Sequence, residues 1–288
     1  MATNKSTLNR INTVTLTKQI TQTMKMVAVS SLEKQKKEAA IIEMYYHSLQ
    51  GLVSQLHPTS SSFDLPYIKV RKVERVLLIV LTTDKGLCGS FGSSVLSSLT
   101  HEHEQLRKEK KDVMLLPIGK KGVAFCQHHA LPYLGLYGQN NNKSSWSARV
   151  KEISDLVLNA YIEEKYDEVI CLYQSHAVSP SRDNVTVEKL LPVSMAAQSR
   201  SSHTSYIIYE PNPVVVHEAI YPQLVRTKLA HMIAVGQTAE QKARMMAMHQ
   251  ATDNAERLLK ELKTLYNRTR QANITGEINE INAGTLSR

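Results

Sequence analysis

From Met1 to Gln50 the chain contains neither glycine nor proline, and from Gln223 to the C-terminus it contains no proline and only Gly236, Gly276 and Gly284. Helices in globular proteins average roughly 11–12 residues. Uninterrupted runs of this length therefore predict two long helices, one at each end. Ala39, Ile42, Tyr46, Leu49, Val53 and Leu56 alternate steps of three and four, as do Leu258, Leu262 and Leu265, and then Ile274, Ile278 and Ile281. Leu16, Ile20, Met24 and Val27 read as the same theme nearer the start. This spacing is that of a coiled-coil seam. A helix of ~60 residues reaches ~90 Å, well beyond the ~40 Å of a compact body of this size, so part of the pair is expected to protrude. The stripe through Leu258, Leu262 and Leu265 would continue at Thr269, Ala272 and Gly276, yet the strong apolar residues return at Ile274, Ile278 and Ile281. That phase break predicts a tip that outlives its partner helix and touches something else.

Between the arms, strand-like and helix-like segments alternate. "RVLLIVL", "DVMLLPIG" and "YDEVICLYQS" read as buried strands, and "VTVEKLLPV" as another strand or an edge. "SSVLSSLTHEHEQLRKEK", "KKGVAFCQHH" and "SARVKEISDLVLNAYIEEK" read as helices. Strands separated by helices indicate a parallel, Rossmann-like sheet. "GQNNNKSSWS" and "SMAAQSRSSHTS" read as polar loops. The fold class expected is α/β: a long antiparallel coiled coil of the N- and C-terminal helices plus a Rossmann-like α/β body. The boundaries follow as 1–57 for the N-terminal shaft helix, 58–215 for the body and 216–288 for the C-terminal shaft helix.

Charge is concentrated in the arms. The net charge is +9; residues 1–57 carry seven Lys/Arg against three Glu, and residues 221–288 carry ten Lys/Arg against six Asp/Glu. Each arm is thus +4 and the middle is nearly neutral, so the arms should seek an acidic partner. The first acidic residue is Glu33, while Lys5, Arg10, Lys18 and Lys25 are spread through a Ser/Thr-rich stretch. This pattern suits a mitochondrial import signal or, equally, the polar face of a working helix. No apolar run approaches the ~20 residues of a membrane helix, so no direct membrane insertion is expected. Three widely separated cysteines, Cys88, Cys126 and Cys171, without CxxC spacing, suit a reducing compartment and no zinc site.

The loop "TTDKGLCGSFGSSV" (Thr82 to Val95) joins a buried strand to a helix, where nucleotide-binding proteins often hold phosphate. Its glycines, Gly86, Gly89 and Gly92, give GxxGxxG and match neither the dinucleotide nor the P-loop pattern. Glycines here let the chain turn off a strand and approach a neighbouring backbone. "HEHEQ" (His101 to Gln105) fails HExxH at its last position, and no GxSxG is present. No catalytic, cofactor or metal residues are assigned. A basic coiled coil that binds nucleic acid should interleave aromatics with Lys/Arg, whereas Tyr45, Tyr46, Tyr221 and Tyr266 are few and scattered. That reading, and third a nucleotide-dependent α/β enzyme, remain the alternatives.

"KQITQTMKMVAVSSLEKQKK" (Lys18 to Lys37), the "TTDKGLCGSFGSSV" loop and "ARMMAMHQATDNAERLLKELKTLYNRTRQANITGEINEINAG" (Ala243 to Gly284) closely resemble the gamma subunit of the rotary ATP synthases. "EEKYDEVICLYQS", "VEKLLPV" and "YIIYEPNP" agree in the middle. The resemblance implies a non-catalytic rotor shaft, turned with a membrane ring by proton flow, whose changing face drives the three catalytic beta subunits. Implied partners are the alpha and beta subunits of the hexamer, an epsilon/delta-type shaft subunit and the membrane rotor ring, with no nucleic acid and no cofactor. It also implies shaft contacts to beta subunits at Met24, Lys25, Arg244, Arg270, Gln271 and Thr275, and an apolar tip bearing at Ile274, Ile278 and Ile281. Gly86, Leu87, Cys88 and Gly89 are then a structural or subunit-contact turn without a ligand. Gly276, Asn279 and Asn282 depart from the family at the tip, which makes that surface more polar. The mitochondrial inner membrane, matrix side, is the location favoured by the acid-poor N-terminus, with the cytoplasmic side of a bacterial plasma membrane as the alternative.

Overall fold

The computed structural model describes residues 2–55, 65–135, 146–175, 185–193, 210 and 212–286. Its elements run α1 (Ala2–Gln55), β1 (Arg75–Leu81), α2 (Phe91–Lys108), β2 (Asp112–Ile118), α3 (Lys120–His128), α4 (Trp146–Ile162), β3 (Glu168–Gln174), β4 (Val185–Leu191) and α5 (Pro213–Leu286). Both polar loops expected after Gly135 and after Val193 fall largely outside the described residues. The chain divides into two compact units, one of Met1–Ser30 with Arg244–Arg288 and one of Ser31–Ala243.

The terminal helices are long because little in their sequence stops them. Threonine normally weakens a helix interior, but the hydroxyls of Thr13, Thr15, Thr17 and Thr23 each donate to the carbonyl four residues back, at 2.8–3.0 Å. That back-bonding absorbs the hydroxyl without breaking the helix. α5 starts ten residues before the proline-free run does. Asn212 caps it, its Oδ1 accepting from the Val215 N–H at 3.0 Å, and Pro213 takes the first helical position, where its missing N–H costs nothing. Pro222 then lies inside the helix, between the fully buried Tyr221 and the packed residues Leu224 and Val225. Burial of these neighbours offsets the roughly 3 kcal/mol that an interior proline costs.

The larger unit is built on a four-stranded sheet of order β2-β1-β3-β4. β1 pairs in parallel with β2 and β3, whereas β4 runs antiparallel to β3. The parallel sheet expected from the sequence is thus mixed. Only ten residues separate Gln174 from Val185, fewer than a parallel crossover needs, so the chain must return beside β3 in the opposite sense. Pro117 is accommodated because β2 is an edge strand.

Alternation along the strands divides the core in two. One face, through Leu77, Ile79, Val169, Cys171 and Tyr173, packs on α4 and on the body segments of α1 and α5, with Leu49, Val53, Leu224, Leu229 and Met232 buried. The other face, through Val76, Leu78, Val80, Leu115 and Leu172, packs on α2 and α3 by way of Phe91, Val95, Leu99 and Cys126. The line Tyr46, Leu49, Val53 read as a seam is therefore packed against sheet and α5 together. Arg226 on α5 holds Asp155 on α4 at 2.8 Å, and Lys228 on α5 holds Glu188 on β4 at 2.9 Å. Glu188 in turn accepts from the Tyr173 hydroxyl at 2.9 Å.

Candidate subunit-contact surfaces

In the smaller unit, three contacts fix the register of an antiparallel helix pair. Lys18 pairs with Glu256 at 3.3 Å, the Thr252 hydroxyl meets that of Thr21 at 3.0 Å, and Lys25 Nζ lies 3.4 Å from His249 Nδ1. As the residue number rises on one helix, it falls on the other. The inward line on α1 is Ile11, Val14, Lys18, Thr21, Lys25 and Ala28, stepping by three and four. On α5 it is Met248, Thr252, Ala255, Leu259, Leu262 and Tyr266.

This line corrects the seam read from the sequence. Leu16, Ile20, Met24 and Val27 are 60%, 57%, 40% and 61% exposed, so the large apolar residues of this segment point outward. The inward positions carry small and polar residues instead, with Ala28 only 1% exposed. Small residues let two helices approach closely, and the amphipathic lysines lay their methylene stems along the seam. A hydrophobicity pattern cannot register a seam of that kind.

The expected phase break near the C-terminus has a different form from the one read. The inward line continues in step through Leu262, Tyr266, Thr269 and Asn273, while Leu265 lies outside it and is 52% exposed. Packing geometry does not slip; hydrophobicity does. Ile274 and Ile278 lie off the line at 46% and 51% exposure, and Ile281 falls outside the residues with described side chains. Arg270 and Gln271 are exposed, and Thr275 is exposed with its hydroxyl donating to the Gln271 carbonyl at 2.9 Å. Arg244 is half-buried. Lys25 is half-buried in the seam, so it is also part of the helix pairing.

In the larger unit, the loop after β1 turns through two residues at positive φ, Leu87 at 65° and Gly89 at 59°. Cys88 between them is buried against α2, whereas Leu87 is 57% exposed. The close backbone approach expected of this glycine-rich loop occurs elsewhere. A Cβ on Gly86 or Gly92 would meet nothing nearer than 3.8 Å. Gly119, at φ 108°, instead lies against Thr82, whose Oγ1 would be 2.8 Å and whose carbonyl carbon 2.9 Å from an added Cβ. The Thr82 Oγ1 accepts from the Gly122 N–H at 2.9 Å, and Asp84 Oδ1 accepts from the Lys120 N–H at 3.0 Å. Asp84 thereby caps α3, occupying with its own carboxylate the kind of position where a phosphate would sit.

At the opposite end of the sheet, Asp167 joins the strands' entry. Its carboxylate accepts from the backbone N–H groups of Glu74 and Arg75 at 3.1 and 2.9 Å and pairs with the Arg75 guanidinium at 3.0 Å. Burial alone would raise its pKa, but these hydrogen bonds and the adjacent charge outweigh it and hold the carboxyl below its usual range. Among the described residues no cluster of His, Cys, Asp and Glu could hold a metal ion, and no helix is long and apolar enough to cross a membrane.

Comparison with known proteins matches this arrangement along its whole length. A family model described as ATP synthase matches residues 3–287. The ATP synthase gamma chain of Amoebophilus asiaticus (strain 5a2) is 33% identical over 287 residues, covering 97% of each chain. That of Histophilus somni (strain 2336) is 31% identical over 294 residues, covering 100% of each. Among solved structures, a chain of the Euglena gracilis mitochondrial ATP synthase, in an assembly described as OSCP/F1/c-ring in rotational state 3, shares the fold with a TM-score of 0.68 at 17% identity, covering 99% of this chain and 94% of that one. The chain belongs to the ATP synthase gamma chain family.

Proposed function

We propose that this chain is the central rotor shaft of an ATP synthase, coupling rotation driven by proton flow through a membrane ring to the conformational cycle of catalytic beta subunits. The observation that carries this reading is the match over residues 3–287, joined to a helix pair that leaves Leu16, Ile20, Met24, Val27, Leu265, Ile274 and Ile278 exposed. Exposed apolar and basic residues on one helix pair are what a shaft needs if it is to be enclosed by other subunits while sliding past them. Exposed charges make contacts of only ~0–1 kcal/mol each, which hold a position without locking it.

In this reading Met24, Lys25, Arg244, Arg270, Gln271 and Thr275 meet beta subunits, and Ile274, Ile278 and Ile281 form the tip bearing. Gly86, Leu87, Cys88 and Gly89 form a turn that presents Leu87 to a neighbouring subunit. The chain itself is non-catalytic, and chemistry belongs to its alpha and beta partners. An epsilon/delta-type subunit and the rotor ring engage the body. The alternative of a nucleic-acid-binding coiled coil draws no support from the comparisons.

The two gamma chains named above at 31–33% identity are bacterial, whereas the mitochondrial Euglena chain is only 17% identical, which favours the cytoplasmic side of a bacterial plasma membrane over the mitochondrial matrix. Lys18 and Lys25 pair with α5, so the acid-poor N-terminus serves as a working helix face. The test is reconstitution with matching alpha and beta subunits. The chain should be inactive alone and should form a stoichiometric complex that sustains ATP hydrolysis. Failure to join the hexamer, or hydrolysis by the chain alone, refutes the proposal.

A further inference from the structure

The face of the body formed by α2 and α3 carries a cleft of about 480 Å³ that the rotor reading does not use. Thr100, His103, Glu104, Arg107 and Lys108 line it from α2, and Phe125, His129 and Leu131 from α3 and its end. His103 is the buried member, 7% exposed. Among the described residues neither ring nitrogen of His103 has a hydrogen-bond partner, and neither is sealed from solvent, so both are open to a group in the cleft. Burial and the nearby Arg107 charge lower its pKa, so the ring is neutral near pH 7 and presents one N–H and one acceptor nitrogen.

The remaining groups define what could bind there. Phe125 and His129 stand with ring centroids 4.2 Å apart and their planes inclined at 41°, an aromatic corner at one wall. Arg107 and Lys108 are exposed cations in the last turn of α2, and Glu104 adds an acceptor. With His neutral, the lining carries one net positive charge. We propose that this cleft binds a planar organic anion of mononucleotide size. Its ring packs face-on against one of Phe125 and His129 and edge-on against the other, its phosphate or carboxylate meets Arg107, Lys108 and the His103 N–H, and a hydroxyl or amino group donates to Glu104.

AMP is a suitable probe because it carries ring, donor groups and anion together, with adenosine and inorganic phosphate as its separated halves. Titration of the full-length chain, followed by calorimetry and by the His103 ring resonances, should give saturable 1:1 binding of AMP. Adenosine and phosphate should each bind at least tenfold more weakly. Arg107→Gln, at an exposed position that leaves the fold intact, should weaken AMP at least tenfold, as should His103→Gln. Absence of saturable binding overturns the proposal. So does AMP binding unaffected by Arg107→Gln, or phosphate alone binding as tightly as AMP. The outcome is independent of the hexamer reconstitution, so the rotor reading and this site can fail separately.

Discussion

Gly119→Ala should be among the most damaging single substitutions in the body, although it removes no contact and adds only a methyl group. An alanine there must either adopt φ 108°, which costs about 1–3 kcal/mol, or move the strand end. Its Cβ would also press on the Thr82 backbone and hydroxyl, at 2.9 and 2.8 Å for the carbon and Oγ1. Neither is the far end of a flexible chain, so overpacking adds about 1–3 kcal/mol. Displacing Thr82 endangers the bond its Oγ1 accepts from Gly122 N–H as well as the one it donates toward Ile118 O. The expected loss is about 4 kcal/mol, a large share of the ~5–15 kcal/mol by which domains are stable. Urea unfolding followed by circular dichroism should show a midpoint lower by about 1 M or more, given slopes of ~3 kcal/mol per M. Gly92→Ala supplies the control: its Cβ would meet nothing nearer than 3.9 Å, and removing glycine from a helix should stabilise by up to about 1 kcal/mol. If Gly119→Ala unfolds within 0.3 M of wild type, or about as readily as Gly92→Ala, the close approach to Thr82 has been misjudged.

Four further outcomes are expected. Ala28→Leu should destabilise the helix pair by about 1–3 kcal/mol because that position is closed, whereas Leu16→Ser or Ile20→Ser should change the free chain's stability by no more than about 0.5 kcal/mol yet weaken its assembly with the hexamer, measured by co-purification. Arg270→Ala and Gln271→Ala should reduce the ATPase activity of the reconstituted hexamer several-fold without shifting the chain's own melting temperature, since both side chains are exposed; a shift would mark them as structural. Asp167→Asn should cost about 1–2 kcal/mol near pH 7, the scale of its charge-assisted bonds. The Asp167 pKa is depressed in the folded state, so its contribution is full above the unfolded value of ~3.9 and disappears as pH falls through the folded value. Wild type and variant should therefore converge in acid, and a gap that persists there counts against the pairing. Cys88, Cys126 and Cys171 are at most 3% exposed, and burial pushes the Cys126 thiol up to about 11, so a thiol reagent at pH 8 should label the chain only after denaturant is added.

Much of this protein could be read from its residues in order. The absence of proline and glycine sets the terminal helices, because nothing in those stretches ends one, and continuous apolar runs such as "RVLLIVL" set strands buried on both faces. Family-specific blocks at the two ends and in the first loop carried the identity. What periodicity misread is instructive. Leu16, Ile20, Met24 and Val27 have helical spacing and enough hydrophobicity for a seam, yet they are exposed while Thr21 and Ala28 are buried. A hydrophobic stripe says that a face will be covered; it does not say whether the cover is a helix of the same chain or another subunit.

Three matters were decided only by tertiary structure. The direction of β4 followed from a return too short for a crossover, which emerges only once its partner strand is known. The glycine that permits close backbone approach proved to be Gly119, outside the glycine-rich loop, because contact with Thr82 depends on how two strand ends meet in space. His103, an ordinary member of a charged helix in the sequence, became a buried ring facing a cleft only when α3 was set beside α2. Sequence by itself determined which segments are helix or strand and which family they compose, since those follow from local chain stiffness and residue identity. Which face of each element is inward was decided by packing, because burial depends on what lies opposite, and residues distant along the chain supply that.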